Sequence, residues 1–424
     1  MSTEQLLARR YRLLGKDAPL FYDEPLTIVK GEGVWLYDAD GKRYLDAYNN
    51  VPSVGHCHPR VVEALCRQAA TLNVHTRYLH ETILDYGERL TALLDDSLSM
   101  LFLTCTGSEA NEAALRIARH QGNGQGIICT NATYHGNTAA VYALTTFIDG
   151  KPQGPGVKAV NFPDTYRTPY ELSGQALEDA YVDEVRQAIA AFEQEGIGFA
   201  GMLLCPIFAN EGLPDVPPGY LPRITKLVRD AGGLLIFDEV QAGFGRTGKM
   251  WGHQHSGVVP DLVVLGKPMG NGHPLGGVVC RPDLGNTFRK DTMYFNTFGG
   301  NPVSCAVGMA VLDVIEQEGL VENSRQVGAY LKQGLQTLSE QFELFGDVRG
   351  CGLFAGVEMV TDRQLKTPAP AQANRLINLM KEHRVLMGRI GLHGNIIKVR
   401  PPLCFSEENA DLLLTQLEQA LKQL

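Results

Sequence analysis

The sequence predicts an α/β protein, in which helices cover a mostly parallel β-sheet, with a smaller α+β unit built from both ends of the chain. Three observations lead to this prediction. Through the middle of the 424 residues, short runs rich in Val, Ile and Leu alternate with helical periodicity, a pattern typical of strands buried between helices. Residues 33–48 have the strand pattern and the Asp-Gly turn of a β-hairpin. Beyond residue 300, long helical patterns are again followed by short apolar runs.

The predicted strands of the middle region are six short apolar runs. They are 100–106, 126–130, 200–207, 234–240, 261–266 and 276–280. Helical patterns at 108–120, 179–196 and 217–233 lie between them, and a Gly-Gly pair ends the last of these in the usual C-terminal capping position. The stretch 149–175, rich in Pro, Gly and Tyr, is predicted to be a loop that covers a site.

The C-terminal part of the chain is predicted to return to the N-terminal hairpin. Its predicted elements are helices at 303–318 and 320–343, a strand at 352–360, a helix near 370–384, an extended segment at 395–403 and a terminal helix capped by Ser406. We therefore predict that residues 1–60 and 316–424 form one small domain. Residues 61–315 would be the large domain inserted between these two parts.

Composition and charge favour a small-molecule substrate. The net charge is −9 and the sequence contains no basic run, which argues against a nucleic-acid surface because phosphate contacts need clustered Lys and Arg. The nine cysteines are scattered and lack CxxC spacing, as expected of reduced thiols. No signal-peptide pattern or run of about 18 apolar residues is present. We expect a cytoplasmic protein without a membrane span.

The segment 237–249, FDEVQAGFGRTGK, contains the G-x-x-x-x-G-K spacing of a nucleotide-binding P-loop. A functional P-loop needs Ser or Thr after its lysine, and a helix that opens there toward phosphate. Lys249 is instead followed by Met-Trp-Gly, and no helical pattern begins at that point. The spacing therefore does not predict an NTPase.

Asp238 and Lys267 suggest a different chemistry. Asp238 lies at the C-terminal end of the predicted strand 234–240, and Lys267 directly follows the predicted strand 261–266; this is the edge at which open α/β sheets bind ligands. Gly107 and Ser108 follow a third strand and open a helix whose free N–H groups can bind an anion. Taken alone, such a segment is more often an ordinary strand-to-helix turn. Together, a lysine, a carboxylate and a phosphate cup are the parts that pyridoxal phosphate requires.

Five segments in order along the chain make this interpretation specific. They are TGSEANEAALRIAR, YHG, FDEVQAGFGRTGK, LGKPMGNGHPLGGV and FNTFGGNP. In this combination the sequence closely resembles the class III aminotransferases, which are fold type I pyridoxal-phosphate enzymes. The resemblance implies a large domain with a seven-stranded, mostly parallel sheet between helices, a small domain from both chain ends, and a homodimer.

The resemblance also implies roles for individual residues. Lys267 would form the covalent link to pyridoxal phosphate and later move the substrate proton, and Asp238 would pair with the protonated ring nitrogen. Gln241 would lie near the cofactor's 3′-oxygen. Tyr134 would stack on the ring, although a Tyr at a strand end is more often a packing residue.

Three further cofactor contacts follow from the resemblance. Gly107 and Ser108 would form the phosphate cup, and His135 would shape the turn beside the ring together with the glycine that follows it. Thr297, in FNTFGGNP, would reach across the dimer interface to the cofactor phosphate of the neighbouring subunit. Two active sites would then depend on one interface.

The substrate end departs from the usual family pattern. Many members carry an arginine in R-x-x-P-P-L that binds the substrate carboxylate, whereas this chain has Lys398 at that position. Lysine lacks the planar fork that grips a carboxylate through two hydrogen bonds. Arg400 lies two residues on, hence on the same face of a regular strand. Either side chain could bind an anion.

Two functions are compatible with these residues. The first is an aminotransferase that moves an amino group from an amine or ω-amino acid to a 2-oxo acid, such as pyruvate or glyoxylate, by a ping-pong mechanism. The second is a phospho-lyase acting on a phosphoethanolamine-like amine. GKPMGNGHP, the PDTYR of residues 163–167 and the K-x-[KR]-P-P segment resemble that second branch.

Two histidine pairs have spacing that suggests a metal site. They are His56-Cys57-His58 and His253-Gln254-His255. Neither has a third ligand nearby in the sequence, and a zinc site needs at least three protein ligands. We expect no metal.

Overall fold

The computed structural model describes residues 3–148 and 153–424. The helices are α1 (Thr3–Leu14), α2 (Pro59–Thr71), α3 (Glu81–Thr91), α4 (Gly107–Gln121), α5 (Ala139–Tyr142), α6 (Gly174–Gln194), α7 (Tyr220–Asp230), α8 (Pro282–Asp291), α9 (Pro302–Gln317), α10 (Leu320–Gln341), α11 (Pro370–Glu382) and α12 (Glu407–Leu421). The strands are β1 (Ile28–Glu32), β2 (Trp35–Asp38), β3 (Arg43–Asp46), β4 (Met100–Thr104), β5 (Gly126–Thr130), β6 (Val157–Val160), β7 (Phe199–Leu204), β8 (Leu234–Asp238), β9 (Leu262–Leu265), β10 (Gly276–Cys280), β11 (Phe345–Gly350), β12 (Ala355–Asp362), β13 (Thr367–Pro368), β14 (Val385–Leu386), β15 (Gly388–Ile390) and β16 (Ile396–Val399).

The central sheet has seven strands in the order β4-β10-β9-β8-β7-β5-β6. Strand β10 runs antiparallel to both of its neighbours, whereas the pairs from β9 to β6 are parallel. The predicted α/β class and the seven-stranded, mostly parallel sheet are therefore confirmed. Each of the six predicted strands is present.

Both faces of this sheet are covered, and β8 shows why its run of apolar residues is continuous. Ile236 packs into the core under α4, whereas its neighbours Leu235 and Phe237 pack into the core under α6 and α7. Successive side chains of a strand point to opposite faces. Because both faces are buried here, the positions from Leu234 to Phe237 are all apolar, and the one polar residue, Asp238, stands at the end of the strand.

The prediction of a loop at 149–175 was wrong in its middle. Residues 149–152 lie outside the described residues, but Val157–Val160 form the edge strand β6, parallel to β5. The strand was missed because it is only four residues long and includes Lys158, whose amine pairs with Glu195 at the sheet edge. Edge strands tolerate such charges.

The two ends of the chain meet in a second sheet. Strands β2 and β3 form the predicted hairpin, β1 adds an unpredicted strand beside β2, and β14 joins the sheet by pairing Val385 with Leu45 and Leu386 with Asp46 in parallel register. A third sheet contains β11, β12, β16 and β15. Residues of β3, such as Leu45, share one apolar core with α12. The domain limits at 60 and 315 stay a prediction.

The described part of the chain contains no helix both long enough and apolar enough to cross a bilayer.

The packing that matters for function is the alignment of strand ends. Strands β5, β7, β8 and β9 run parallel, so the segments that follow them emerge at one edge of the sheet.

Candidate active site

One cavity of ≈ 210 Å³ lies at the C-terminal edge of the central sheet. Its walls include seven residues that the sequence singled out: Gly107, Ser108, Tyr134, His135, Asp238, Gln241 and Lys267. A larger cavity of ≈ 280 Å³ is lined mostly by prolines and aliphatic side chains and has no lysine–carboxylate pair. The chemistry therefore points to the smaller cavity.

Asp238, the last residue of β8, is buried and held by three donors. His135 Nδ1 lies 2.7 Å from Oδ2, Asn111 Nδ2 donates to the same oxygen at 3.0 Å, and the Val240 N–H donates to Oδ1 at 3.0 Å. Burial alone raises the pKa of Asp238, but the hydrogen bond and charge of His135, together with the Val240 N–H and the charge of Lys267, more than offset it, so the pKa lies below its ordinary value. Asp238 is thus a fixed, ionised carboxylate.

Lys267 follows β9 and lines the cavity beside this carboxylate, with its side chain accessible from the cavity. Its φ angle of 31° lies in the left-handed region, an unusual conformation for a residue with a side chain and one that clusters at functional sites. Burial lowers the pKa of its amine; Asp238 acts in the opposite direction and Arg400 in the same one. A lysine with a lowered pKa has more of the neutral, nucleophilic amine at physiological pH.

The start of α4 faces the same cavity, and its glycines allow a ligand to approach the backbone closely. Thr106 caps the helix in a reciprocal capping box with Glu109, which engages the Glu109 N–H and leaves the N–H groups of Gly107 and Ser108 to bind an anion. A Cβ on Gly136 would meet Ser108 Oγ at 2.5 Å, and one on Gly107 would meet Val240 Cγ2 at 3.1 Å. These glycines leave no room for larger residues, as a tight phosphate cup requires.

Pyridoxal phosphate fits this set of residues. A reactive lysine, an ionised carboxylate and a helix N-terminus all line one cavity, and the ring of Tyr134 forms part of its wall. The Tyr134 hydroxyl donates to Asn137 at 3.0 Å, and its ring meets Phe147 edge-on. The structure also shows two supports of Asp238, His135 and Asn111, of which the sequence indicated only His135, and that as a turn residue.

Lys398 and Arg400 converge on one oxygen atom at the side of the cavity. Lys398 Nζ donates to Gln241 Oε1 at 3.2 Å, and Arg400 Nη1 donates to the same Oε1. Both cations lie within 6 Å of the centres of the Tyr48 and Phe354 rings, so each makes cation–π contacts with both rings. Their exposed fractions are only 3% and 5%.

Asn210 fixes the orientation of the Gln241 amide, a role that the sequence did not indicate. Gln241 Nε2 donates to Asn210 Oδ1 at 2.8 Å, and Asn210 Nδ2 donates to the Tyr134 carbonyl at 2.9 Å. With its nitrogen engaged in this way, Gln241 must present its oxygen to the two cations. Asn210 is itself neutral, so it adds no negative charge beside the two cations.

Arg246 is a second residue missed by the sequence reasoning, because its segment matched a P-loop pattern. Its fully buried guanidinium donates to Asn50 Oδ1 at 2.9 Å and to the carbonyls of Leu353 and Pro401 at 2.8 and 2.5 Å. Pro401 directly follows Arg400. Arg246 therefore anchors the end of the strand that carries the two cations.

Three sequence signals lie outside this cavity. Thr297 is exposed and does not line the cavity of its own chain. His56 and His253 pair with Asp46 and Glu239, each at 2.7 Å, and within residues 3–148 and 153–424 no group of three or more His, Cys, Asp or Glu side chains could hold a metal ion. Lys249 donates to the Gln254 carbonyl, and no α-helix begins there.

Comparisons with known proteins place the chain in a family. Residues 21–421 match the family described as "Aminotransferase class-III". The "Alanine--glyoxylate aminotransferase 2 homolog 2, mitochondrial" of Arabidopsis thaliana is 40% identical over 100% of this chain and 88% of its own length. The "Ethanolamine-phosphate phospho-lyase homolog 1" of Caenorhabditis elegans is 36% identical over 99% of this chain and 94% of its own length.

A solved structure is similar over the whole chain. It is a phospholyase from Arthrobacter in complex with phosphoethanolamine, which is 46% identical, covers 99% of this chain and 100% of its own, and superposes with a TM-score of 0.96. The predicted family and architecture are confirmed. The chain belongs to the class III aminotransferases, an enzyme family of fold type I whose cofactor is pyridoxal phosphate.

Proposed function

We propose that this enzyme uses pyridoxal phosphate to eliminate phosphate from a small primary amine that carries a phosphate ester on the neighbouring carbon. The observation that carries the proposal is the buried pair Lys398 and Arg400. In the described part of the chain, neither forms an ion pair with a carboxylate; their polar partners are the Gln241 oxygen and the Tyr48 carbonyl. Two adjacent buried cations without an acid form a site for a strongly charged anion.

The charges favour a dianion over a carboxylate. Burying a cation without a partner is unfavourable by several kcal/mol, and here Arg400 and Lys398 lie against one neutral amide oxygen, so that Lys398 gains its charge most readily when an anion is bound. Asp46, whose charge reaches Arg400, is itself bonded to His56. A phosphate dianion can compensate both charges and accept hydrogen bonds from both side chains, whereas a single carboxylate compensates one.

The residues of the cavity supply the remaining steps. Pyridoxal phosphate provides the electron sink that makes the amine-bearing carbon acidic. Lys267 would accept the proton from that carbon; the electron pair of the broken C–H bond would form the new C=C bond as the C–O bond of the neighbouring carbon breaks, and the C–O electron pair would leave with phosphate. Lys398 and Arg400 stabilise the charge of the leaving group, and Asp238 keeps the ring nitrogen protonated.

Similarity to a phospholyase supports the proposed elimination of phosphate, and similarity to an aminotransferase supports a second candidate function. The phospholyase from Arthrobacter is 46% identical to this chain. The relative from Arabidopsis thaliana that is named as an aminotransferase is 40% identical. The second candidate is thus transfer of the amino group from an amine or ω-amino acid to a 2-oxo acid, by a ping-pong mechanism in which Lys267 moves the proton and Lys398 or Arg400 binds a carboxylate.

Direct assay separates the two functions. With phosphoethanolamine as substrate, we expect phosphate to be released although no 2-oxo acid has been added as amino-group acceptor. With a simple amine plus pyruvate, we expect little alanine to form. In Lys398→Met, kcat/KM for phosphate release should fall at least roughly 30-fold, about 2 kcal/mol, because a buried charge partner is lost. Alanine formation without phosphate release would reject the phospho-lyase and establish the aminotransferase.

Anion binding by the holoenzyme should be coupled to protonation of Lys398. Burial, followed by the charges of Arg400 and Lys267, holds the pKa of Lys398 well below its ordinary value, whereas Arg400, with a pKa of about 10, stays charged at neutral pH. A bound dianion raises the pKa of Lys398, so a proton is taken up between the free and bound pKa values, and affinity falls as pH rises through that interval.

Sulfate is the suitable probe because it does not titrate between pH 5 and 9. Calorimetry in two buffers with different protonation enthalpies measures the uptake directly. The Lys398→Met variant should bind sulfate more weakly and without proton uptake. Equal uptake in that variant would show that another group titrates.

We also propose that the enzyme is a homodimer and that Thr297 contacts the cofactor phosphate of the partner subunit. Two loops expose large apolar side chains, with Leu79 98% and Phe298 72% exposed. His75 stacks on Tyr78 and meets Phe295 edge-on, so the two loops are adjacent. Apolar patches of this kind mark interfaces. Sedimentation of the holoenzyme as a species of 46.4 kDa, the mass of one chain, would contradict the proposal.

A cytoplasmic location remains part of the proposal. All nine cysteines are free thiols, as in proteins of reducing compartments. Fractionation of cells that produce the protein tests this location. Recovery with an organelle would overturn it.

A further inference from the structure

The PDTYR motif is separated from the cations that bind the substrate anion. Arg167, its last residue, does not line the cofactor cavity. It lines a second polar cavity of ≈ 170 Å³ together with Glu211, Arg349 and Glu358. Any influence of the motif on the substrate must therefore pass through other residues.

Glu358 is clamped between two arginines from different parts of the chain. Arg167 Nε donates to Glu358 Oε1 at 2.7 Å, and Arg349 Nη2 donates to Oε2 at 2.7 Å. The Glu358 side chain is only 2% exposed. A buried carboxylate held at both oxygens is fixed in position, and removing one partner of such a pair is strongly unfavourable.

The two ion pairs of Glu358 hold a strand that is the neighbour of the strand carrying Lys398. Glu358 lies on β12, and β12 pairs with β16 so that Gly356 is opposite Lys398 and Glu358 is opposite Ile396. The position of Lys398 relative to the large sheet therefore depends on where β12 is held. Arg167 is the side chain that ties β12 to the loop after β6.

Arg349 also contacts the segment that orients Gln241, the residue whose oxygen accepts from Lys398 and Arg400. Arg349 Nε donates to the Gly212 carbonyl at 2.8 Å, two residues after Asn210, which fixes the Gln241 amide. The motif itself is stiff, because the Tyr166 N–H donates to Asp164 Oδ1 at 2.8 Å. At its start, the Phe162 N–H donates to Asn131 Oδ1 at 2.9 Å, which joins it to the segment after β5.

We propose that Arg167 is a positioning residue for the substrate phosphate. Through Glu358 it sets the position of Lys398 against the cofactor cavity, without contacting cofactor or substrate. The inference rests on the proposed function, because it requires that Lys398 bind the substrate anion. Displacements of about 1 Å at such groups are enough to change catalysis or binding by orders of magnitude.

The test compares anion binding with cofactor binding. In the Arg167→Met holoenzyme, the Kd for sulfate should rise roughly tenfold, about 1.4 kcal/mol, with the Kd for pyridoxal phosphate changed less than about twofold on the same scale. KM for phosphoethanolamine should rise more than kcat falls. Arg167→Lys, which restores the charge and one hydrogen bond, should recover part of the sulfate affinity.

A matched control separates positioning from general loss of an ion pair. Arg223 pairs with Glu178 at 2.8 Å, and the acid is only 9% exposed, but this pair joins α7 to α6, away from β12 and β16. Arg223→Met should leave the sulfate Kd unchanged. If Arg167→Met does not fold, Glu358→Gln serves in its place and should weaken sulfate binding while sparing the cofactor.

The outcomes distinguish this inference from the function on which it rests. Wild-type holoenzyme that does not bind sulfate, or binds it equally well as Lys398→Met, contradicts the proposed function. Wild-type binding that depends on Lys398 but is unchanged in Arg167→Met and in Glu358→Gln contradicts the positioning role alone. Parallel weakening of sulfate and cofactor in both variants also contradicts it, because that pattern indicates general destabilisation.

Discussion

Replacing Lys267 by alanine is expected to abolish turnover, with a loss on the order of 10⁴-fold or more, since a positioned acid–base group alone contributes about 10² to 10⁴ and the covalent anchor is lost as well. The amine lines the same cavity as Asp238, and desolvation by the surrounding protein lowers its pKa. Mass spectrometry after borohydride reduction should find the cofactor attached to the wild-type chain and not to the variant.

Lys249→Ala is the matched control for this substitution. Lys249 belongs to the segment with P-loop spacing, yet its amine only donates to the Gln254 carbonyl at 3.1 Å. The Lys249 variant should keep its activity and its reducible cofactor. Activity retained by Lys267→Ala, or lost in Lys249→Ala with the fold intact, would overturn the assignment of the reactive lysine.

The central sheet could be predicted from the sequence because burial on both faces leaves a continuous apolar run. Strand β8 is the clearest example, since Leu234 to Phe237 are all buried and a polar residue appears only where the strand ends. The positions of Asp238 and Lys267 after such runs predicted a shared edge. The structure places both in the wall of one cavity.

The hydrogen-bond partners at that edge could not be predicted in the same way. His135 and Asn111 are more than 100 residues from Asp238 in sequence, and no local periodicity encodes such a contact. The same holds for the shared oxygen of Gln241, which is 157 residues from Lys398. The antiparallel direction of β10 was likewise hidden, because a buried strand has the same apolar run in either direction.

Replacing Asp238 by asparagine is the second large prediction, and we expect turnover to fall by roughly 10² to 10³, as when a preorganised electrostatic group is removed. Asparagine keeps the shape and can still accept from the Val240 N–H, but it removes the negative charge. In the wild type, His135 holds the pKa of Asp238 below its ordinary value against the effect of burial, so the carboxylate is ionised throughout the neutral range. The variant cannot keep the cofactor's ring nitrogen cationic.

Two comparisons show whether the missing charge, and not a disturbed fold, causes the loss. Reconstitution with a cofactor methylated on the ring nitrogen, which is permanently cationic, should restore part of the activity of Asp238→Asn and none of that of Lys267→Ala. Asn111→Ala removes one 3.0 Å hydrogen-bond donor from Asp238 but leaves the negative charge. Its activity should fall by about tenfold or less, as expected for the loss of one hydrogen bond to a charged group. Full activity of Asp238→Asn with the ordinary cofactor would mean that no anion is required opposite the ring nitrogen.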